Sequence, residues 1–97
     1  MKNSYNYHII RSMKKLVIYT GKVCPHCIWA IDLLDRKKIK FTEYNIAVDS
    51  EKREEMLKRS NGAKTIPQIF IDDYHVGGND ELQALEREGK LDNLLKS

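Results

Sequence analysis

Residues 15–37 read KLVIYTGKVCPHCIWAIDLLDRK, and this stretch decides the fold. Its first part, residues 15–19, is a short apolar run with β-branched residues, which predicts a buried strand. Pro25 then stands where proline is tolerated, in the first turn of a helix. Apolar residues recur at helical spacing and predict a helix over about residues 25–37; they are Cys27, Ala30, Ile31 and Leu34.

Three further strands and three further helices are predicted downstream. The strands are expected around residues 41–46, 66–71 and 74–76, the last two forming a hairpin across Asp72-Asp73. Two of the helices are expected to be capped by Asp49 or Ser50 and by Asn79 or Asp80, and a last short helix is expected to contain Leu91, Leu94 and Leu95. A right-handed crossover makes the first two strands parallel, and the hairpin completes a mixed four-stranded sheet with helices on both faces. The order is βαβαββα with an extra helical turn.

Composition excludes several classes of protein. The 97 residues are 41% hydrophobic and 32% charged, as in one small folded domain, and the longest apolar runs are too short to span a bilayer. The net charge of +3 is too weak to argue for nucleic acid. Residues 1–12 lack the apolar stretch of a secretory signal, so we expect a cytoplasmic protein with an N-terminal extension at 1–12 and a domain at 13–97.

The chain has only two cysteines, Cys24 and Cys27, in the sequence CPHC. Positions three apart at a helix start suit a disulfide. Cys24 lies at the helix N-terminus, where free N–H groups and the helix dipole should lower the pKa of its thiol and make it the nucleophile. Cys27 lies one turn inside and should resolve mixed disulfides. A structural zinc site is disfavoured because it needs four ligands, and the three histidines are dispersed.

Three motifs together resemble the glutaredoxin family, specifically the small bacterial dithiol class. They are residues 22–27 (KVCPHC), 65–67 (TIP) and 77–80 (GGND), and the resemblance covers about residues 14–96. The C-x-x-C motif at the end of the first strand also fits the family's thioredoxin-like fold. The resemblance implies a glutathione-dependent thiol–disulfide oxidoreductase that reduces protein–glutathione mixed disulfides and protein disulfides. It implies glutathione as co-substrate, no metal or bound prosthetic group, and a monomer.

The resemblance also assigns residues to glutathione. Pro67 matches the family's cis proline, and Ile66 would pair its backbone with the cysteinyl residue of glutathione, beside Thr65. Gly78, Asn79 and Asp80 match the segment that takes the γ-glutamyl end, and Lys22 matches the basic residue that faces the glycyl carboxylate.

The sequence departs from the family pattern within the CPxC motif. Pro25 is the usual residue, but His26 stands where tyrosine is commonest, and we expect it to favour the reduced Cys24 and so give a more oxidising couple. Trp29 falls off the apolar stripe and should be exposed near the site. Two alternative functions stay open: a thioredoxin-type enzyme served by a flavoprotein reductase, and an iron–sulfur carrier that uses Cys24 and glutathione in a dimer.

Overall fold

The computed structural model describes residues 13–96. The strands are β1 (Leu16–Thr20), β2 (Thr42–Asn45), β3 (Gln68–Ile71) and β4 (Tyr74–Gly77). The helices are α1 (Pro25–Arg36), α2 (Ser50–Arg59), α3 (Asn79–Arg87) and α4 (Leu91–Leu95). The predicted extension at 1–12 lies outside the described residues. Within 13–96, no helix is long and apolar enough to cross a membrane.

The sheet has the predicted mixed topology, with strand order β2-β1-β3-β4. Strands β1 and β2 are parallel, with Val17 opposite Thr42. Strand β3 is antiparallel to both β1 and β4. A short loop joins the carboxyl end of β1, an inner strand, to the start of α1, so the cysteine motif lies at the carboxyl end of β1.

Two separate hydrophobic clusters cover the two faces of the sheet, as the alternation of side chains along β1 requires. Twelve buried residues form the larger cluster, which joins alternate residues of β1 and β3 to α1, α3 and α4. The smaller cluster joins four buried residues on the opposite face: Val17, Tyr19, Met56 and Phe70. Helices on both faces confirm the predicted layers.

A polar network borders the smaller cluster. The buried Tyr19 donates its hydroxyl hydrogen to the Glu55 carboxylate and accepts a hydrogen bond from Arg59 at 3.0 Å. Burial is the main cause that raises the pKa of Tyr19, and the hydrogen bond to Glu55 is the second. The same hydroxyl group lowers the pKa of Glu55 because it stabilises the ionised carboxylate. This network ties α2 to the centre of the sheet.

The predicted cap of α3 and the predicted start of β3 are wrong. Helix α3 is capped by Gly78 rather than by Asn79 or Asp80, and the Glu81 carboxylate accepts the Gly78 N–H at 2.8 Å. Strand β3 begins at Gln68 rather than at residue 66, because Pro67 has no N–H for the ladder. The predicted cap of α2 is confirmed: it is Asp49, whose side chain accepts the N–H of Lys52 at 3.0 Å.

Candidate active site

The two cysteines form a disulfide across the first turn of α1, with Cα atoms 5.2 Å apart. Cys24 is the N-cap residue, and Pro25 occupies the first helical position. The Cys24 sulfur accepts the backbone N–H of Cys27 at 3.1 Å. The helix start therefore directs an N–H donor at this sulfur, which favours negative charge on it when the disulfide is reduced.

The two cysteine residues differ in exposure, as the sequence predicts. Cys27 is buried, with 3% of its surface exposed, whereas Cys24 is partly exposed. A reagent in solution therefore meets Cys24 first. The chain reaches Cys24 through Val23, whose φ of 49° lies in the left-handed region that β-branched residues rarely occupy.

The loop that precedes β3 lies against this disulfide. The Ile66–Pro67 peptide bond is cis, as the resemblance implies, and Pro67 is buried. The carbonyl oxygen of Ile66 is 3.8 Å from the Cys24 sulfur. The last registered pair of the β1–β3 ladder joins Tyr19 to Gln68, so Ile66 lies beyond the ladder, next to the exposed Thr65.

The start of α3 borders the same loop. A Cβ atom added to Gly78 would lie 3.5 Å from the carbonyl oxygen of Pro67, which is ordinary van der Waals contact, so the two segments are neighbours. Asn79 is buried, and its side-chain oxygen accepts a hydrogen bond from Gln83 at 3.1 Å. Asp80 is exposed in the first turn of α3. The structure thus brings Gly78 next to the loop that carries Pro67 and leaves the Asp80 carboxylate facing solvent.

The remaining candidate residues lie on the outer surface of the motif. Lys22 is exposed two residues before Cys24. The His26 ring packs edge-on against Trp29, with ring centroids 5.0 Å apart, and both side chains are exposed. Trp29 is 53% exposed, which confirms the prediction from its position on the helix.

Comparison with known proteins decides the family. The family model described as glutaredoxin matches residues 16–76. The chain belongs to the glutaredoxin family. It is 51% identical over 84 residues to glutaredoxin 3 of Escherichia coli, covering 87% of this chain and all of that protein.

Solved glutaredoxin structures agree with this assignment. The solution structure of a Brucella melitensis glutaredoxin aligns with a TM-score of 0.74 at 53% identity, covering 88% of this chain and 91% of that one. A buckwheat glutaredoxin solved as its glutathione complex aligns with the same TM-score of 0.74 at 24% identity. It covers 95% of this chain and 84% of that one, and it bears on the fold alone.

The family assignment confirms the thioredoxin-like fold and the thiol–disulfide oxidoreductase activity predicted from the motifs. This glutaredoxin carries the redox-active cysteine pair in close contact, as an intramolecular disulfide requires. Neither the thioredoxin-type alternative nor the iron–sulfur carrier is favoured by these findings.

Sequence reasoning missed two residues behind the site of this glutaredoxin. Gln68 is 4% exposed, and it bonds both to Thr65 and to His75 of β4. The available signal was a lone amide side chain within the apolar run of residues 66–71. His75 gave no such signal, because its partner is set by the pairing of β3 with β4.

Proposed function

We propose that Cys24 is the nucleophile of this glutaredoxin and that Cys27 is the resolving residue. The Cys24 thiolate attacks the glutathione sulfur of a protein–glutathione mixed disulfide, and the protein leaves as a thiolate. A second glutathione thiolate then attacks the Cys24–glutathione disulfide, which releases glutathione disulfide and restores the Cys24 thiolate. The observation that carries this assignment is the position of Cys24 as N-cap residue, where its sulfur accepts the Cys27 N–H.

Protein disulfides follow a second route in this proposal. Cys24 attacks one sulfur of the disulfide, and a mixed disulfide with the protein forms. Cys27 then attacks the Cys24 sulfur, which releases the second protein thiolate and leaves a Cys24–Cys27 disulfide for two glutathiones to reduce. The 5.2 Å separation of the two Cα atoms supports this step because it lies within the range of unstrained disulfides.

The proposed glutathione-binding site surrounds Cys24. The backbone of Ile66, which lies beyond the end of the β1–β3 ladder, pairs with the cysteinyl residue of glutathione in the manner of an added strand. Thr65 and Pro67 hold that segment. Residues 78–80 take the γ-glutamyl end, where the first turn of α3 offers N–H groups to its carboxylate and Asp80 offers its own carboxylate to the ammonium.

Lys22 is the last residue of the proposed glutathione-binding site, where it faces the glycyl carboxylate of glutathione. Its support is its exposure and its place two residues before Cys24. The buckwheat glutaredoxin complex shows that the same fold accommodates glutathione in that protein. We infer that the co-substrate is glutathione, with no metal or resident prosthetic group in the exchange, and that the enzyme is a cytoplasmic monomer.

Protein substrates are proposed to contact the apolar surface around Cys24. Three exposed hydrophobic side chains surround the motif: Val23 is 88% exposed, Ile28 is 65% exposed and Trp29 is 53% exposed. Apolar residues at this density beside a reactive cysteine suit contact with a polypeptide more than with water. We propose that the substrates are glutathionylated or disulfide-containing proteins, as the family resemblance implies.

The test is reduction of a glutathionylated peptide by glutathione, with the wild type, Cys24→Ser and Cys27→Ser measured side by side. Cys24→Ser should lose activity, whereas Cys27→Ser should retain deglutathionylation and lose protein disulfide reduction. Activity in Cys24→Ser would contradict the assigned nucleophile. Turnover with a thioredoxin reductase but not with glutathione would support the thioredoxin-type alternative, and visible absorbance after anaerobic reconstitution with iron and sulfide would support the carrier.

A further inference from the structure

Gln68 is a buried amide side chain that contacts the loop before β3. It is 4% exposed, and its nitrogen donates to Thr65 twice: to the backbone carbonyl oxygen at 2.9 Å and to the hydroxyl oxygen at 3.1 Å. Its oxygen is 2.6 Å from Nε2 of His75. The amide therefore bridges the exposed loop of Thr65 to the last strand of the sheet.

The orientation of this amide is fixed by chemistry. A backbone carbonyl oxygen only accepts hydrogen bonds, so the group of Gln68 that faces Thr65 must be the NH₂ group. The Gln68 oxygen then faces His75, and Nε2 of His75 must carry the hydrogen. A donor on His75 is thus required for the amide to hold Thr65 with both of its hydrogens.

A residue of β3 also contacts the His75 ring. It stacks on Phe70, with centroids 4.6 Å apart and ring planes at 16°. The pairing of β3 with β4 shifts register between Ile69 and Phe70, so Phe70 lies opposite His75. The guanidinium of Arg59 lies 4.1 Å from the centroid of the same Phe70 ring. These contacts orient the imidazole toward Gln68 rather than toward solvent.

We propose that His75 is a positioning residue for the active site. Through the Gln68 amide it holds Thr65, and so fixes the backbone of Ile66, whose carbonyl oxygen is 3.8 Å from the Cys24 sulfur. This inference rests on the proposed function, in which the Ile66 backbone pairs with the cysteinyl residue of glutathione. A loop held in this way is already ordered before glutathione binds. Binding therefore does not have to offset the entropy lost when the loop becomes ordered.

The test compares two variants that separate the hydrogen bond from the ring. His75→Phe keeps a ring that can stack on Phe70 but has no donor, whereas His75→Gln offers an amide nitrogen close to the place of Nε2. We expect His75→Phe to raise KM for a glutathionylated peptide by about three- to tenfold, the factor that one net hydrogen bond supplies, with a much smaller change in kcat. His75→Gln should recover most of this loss.

A double-mutant cycle excludes a purely structural role. Gln68→Leu removes the bridge, so adding His75→Phe to it should raise KM no further. An additive effect, an unchanged KM in His75→Phe, or failure of His75→Gln to restore KM would overturn the proposal. The thermal unfolding midpoint of each variant is measured first, so that every assay is run below it.

A second measurement does not depend on turnover. The ¹⁵N order parameters of the Thr65 and Ile66 amides in the oxidised protein should fall in His75→Phe and stay near wild type in His75→Gln. Unchanged order in His75→Phe would overturn the positioning role whatever the activity. Failure of the wild type to use glutathione would instead contradict the proposed function, and the order parameters would still decide the link from His75 to the loop.

Discussion

Replacing Val23 with asparagine should stabilise the protein. Val23 has a φ of 49°, and the left-handed conformation costs an L-residue about 1–2 kcal/mol, with β-branched residues disfavoured most. Asparagine tolerates this conformation through local hydrogen bonding. The Val23 side chain is 88% exposed, so its removal sacrifices little buried apolar surface. We therefore expect Val23→Asn to raise the free energy of unfolding by about 1 kcal/mol.

The assay is guanidinium unfolding of the oxidised protein, together with its thermal midpoint. A gain of about 1 kcal/mol corresponds to roughly 4–8 °C in a domain of this size. Ile28→Asn is the matched control, because it also replaces a β-branched apolar residue with asparagine, at a position that is 65% exposed within α1. Isoleucine and asparagine have similar helix propensities, so the control should change stability by less than about 0.5 kcal/mol.

Two results would refute this reasoning. The first is a Val23→Asn protein that is no more stable than the wild type, which would mean that the left-handed backbone costs valine nothing here. The second is an equal gain in Ile28→Asn, which would trace the effect to loss of an exposed apolar side chain rather than to backbone strain.

Three further predictions concern charge. Lys22→Glu should raise KM for glutathione several-fold, whereas Lys40→Glu, an equal charge change at an exposed lysine before β2, should leave it near wild type; equal effects would contradict a local role. The pKa of Glu55 is lowered mainly by the Tyr19 hydroxyl, so its contribution to stability is full above its ordinary pKa of 4.5 and is lost as pH falls through the lowered value. Glu55→Gln should accordingly flatten the loss of unfolding free energy as the pH falls below about 4.5, and an unchanged slope would contradict this sign. His26→Tyr should lower the reduction potential in a glutathione redox titration, and an unchanged or raised potential would contradict the expectation that His26 favours the reduced form.

Local sequence patterns predicted the parts of the fold that depend on local chemistry. The start of α1 at Cys24-Pro25 and the cap at Asp49 follow from preferences of single residues, and both are present. The cap of α3 was missed because Gly78 has no side chain to signal it, and its N–H is satisfied instead by a residue three positions later. Side-chain capping rules therefore favoured the polar residues that follow.

Contacts that depend on strand register could not be predicted. The bond between Gln68 and His75 exists because β4 pairs with β3 through an irregular register, and hydrophobic alternation does not locate such a shift. The φ of Val23 was missed for a different reason: valine is among the residues least expected in that conformation. Both features lie beside the site, where departures from local preference are most common.

The unequal division of the core between the two faces of the sheet has a consequence for local opening. Helix α2 buries only Met56 completely, and it rests on the smaller cluster, whereas α1 is anchored by the larger one. A helix with so little buried apolar surface opens at a lower free energy than the elements around it. In native-state hydrogen exchange α2 should behave as the first unit to open, while α1 and the cysteine pair remain closed. Helix α2 can thus open on one face of the sheet while α1, on the other face, keeps the two reactive sulfurs in position.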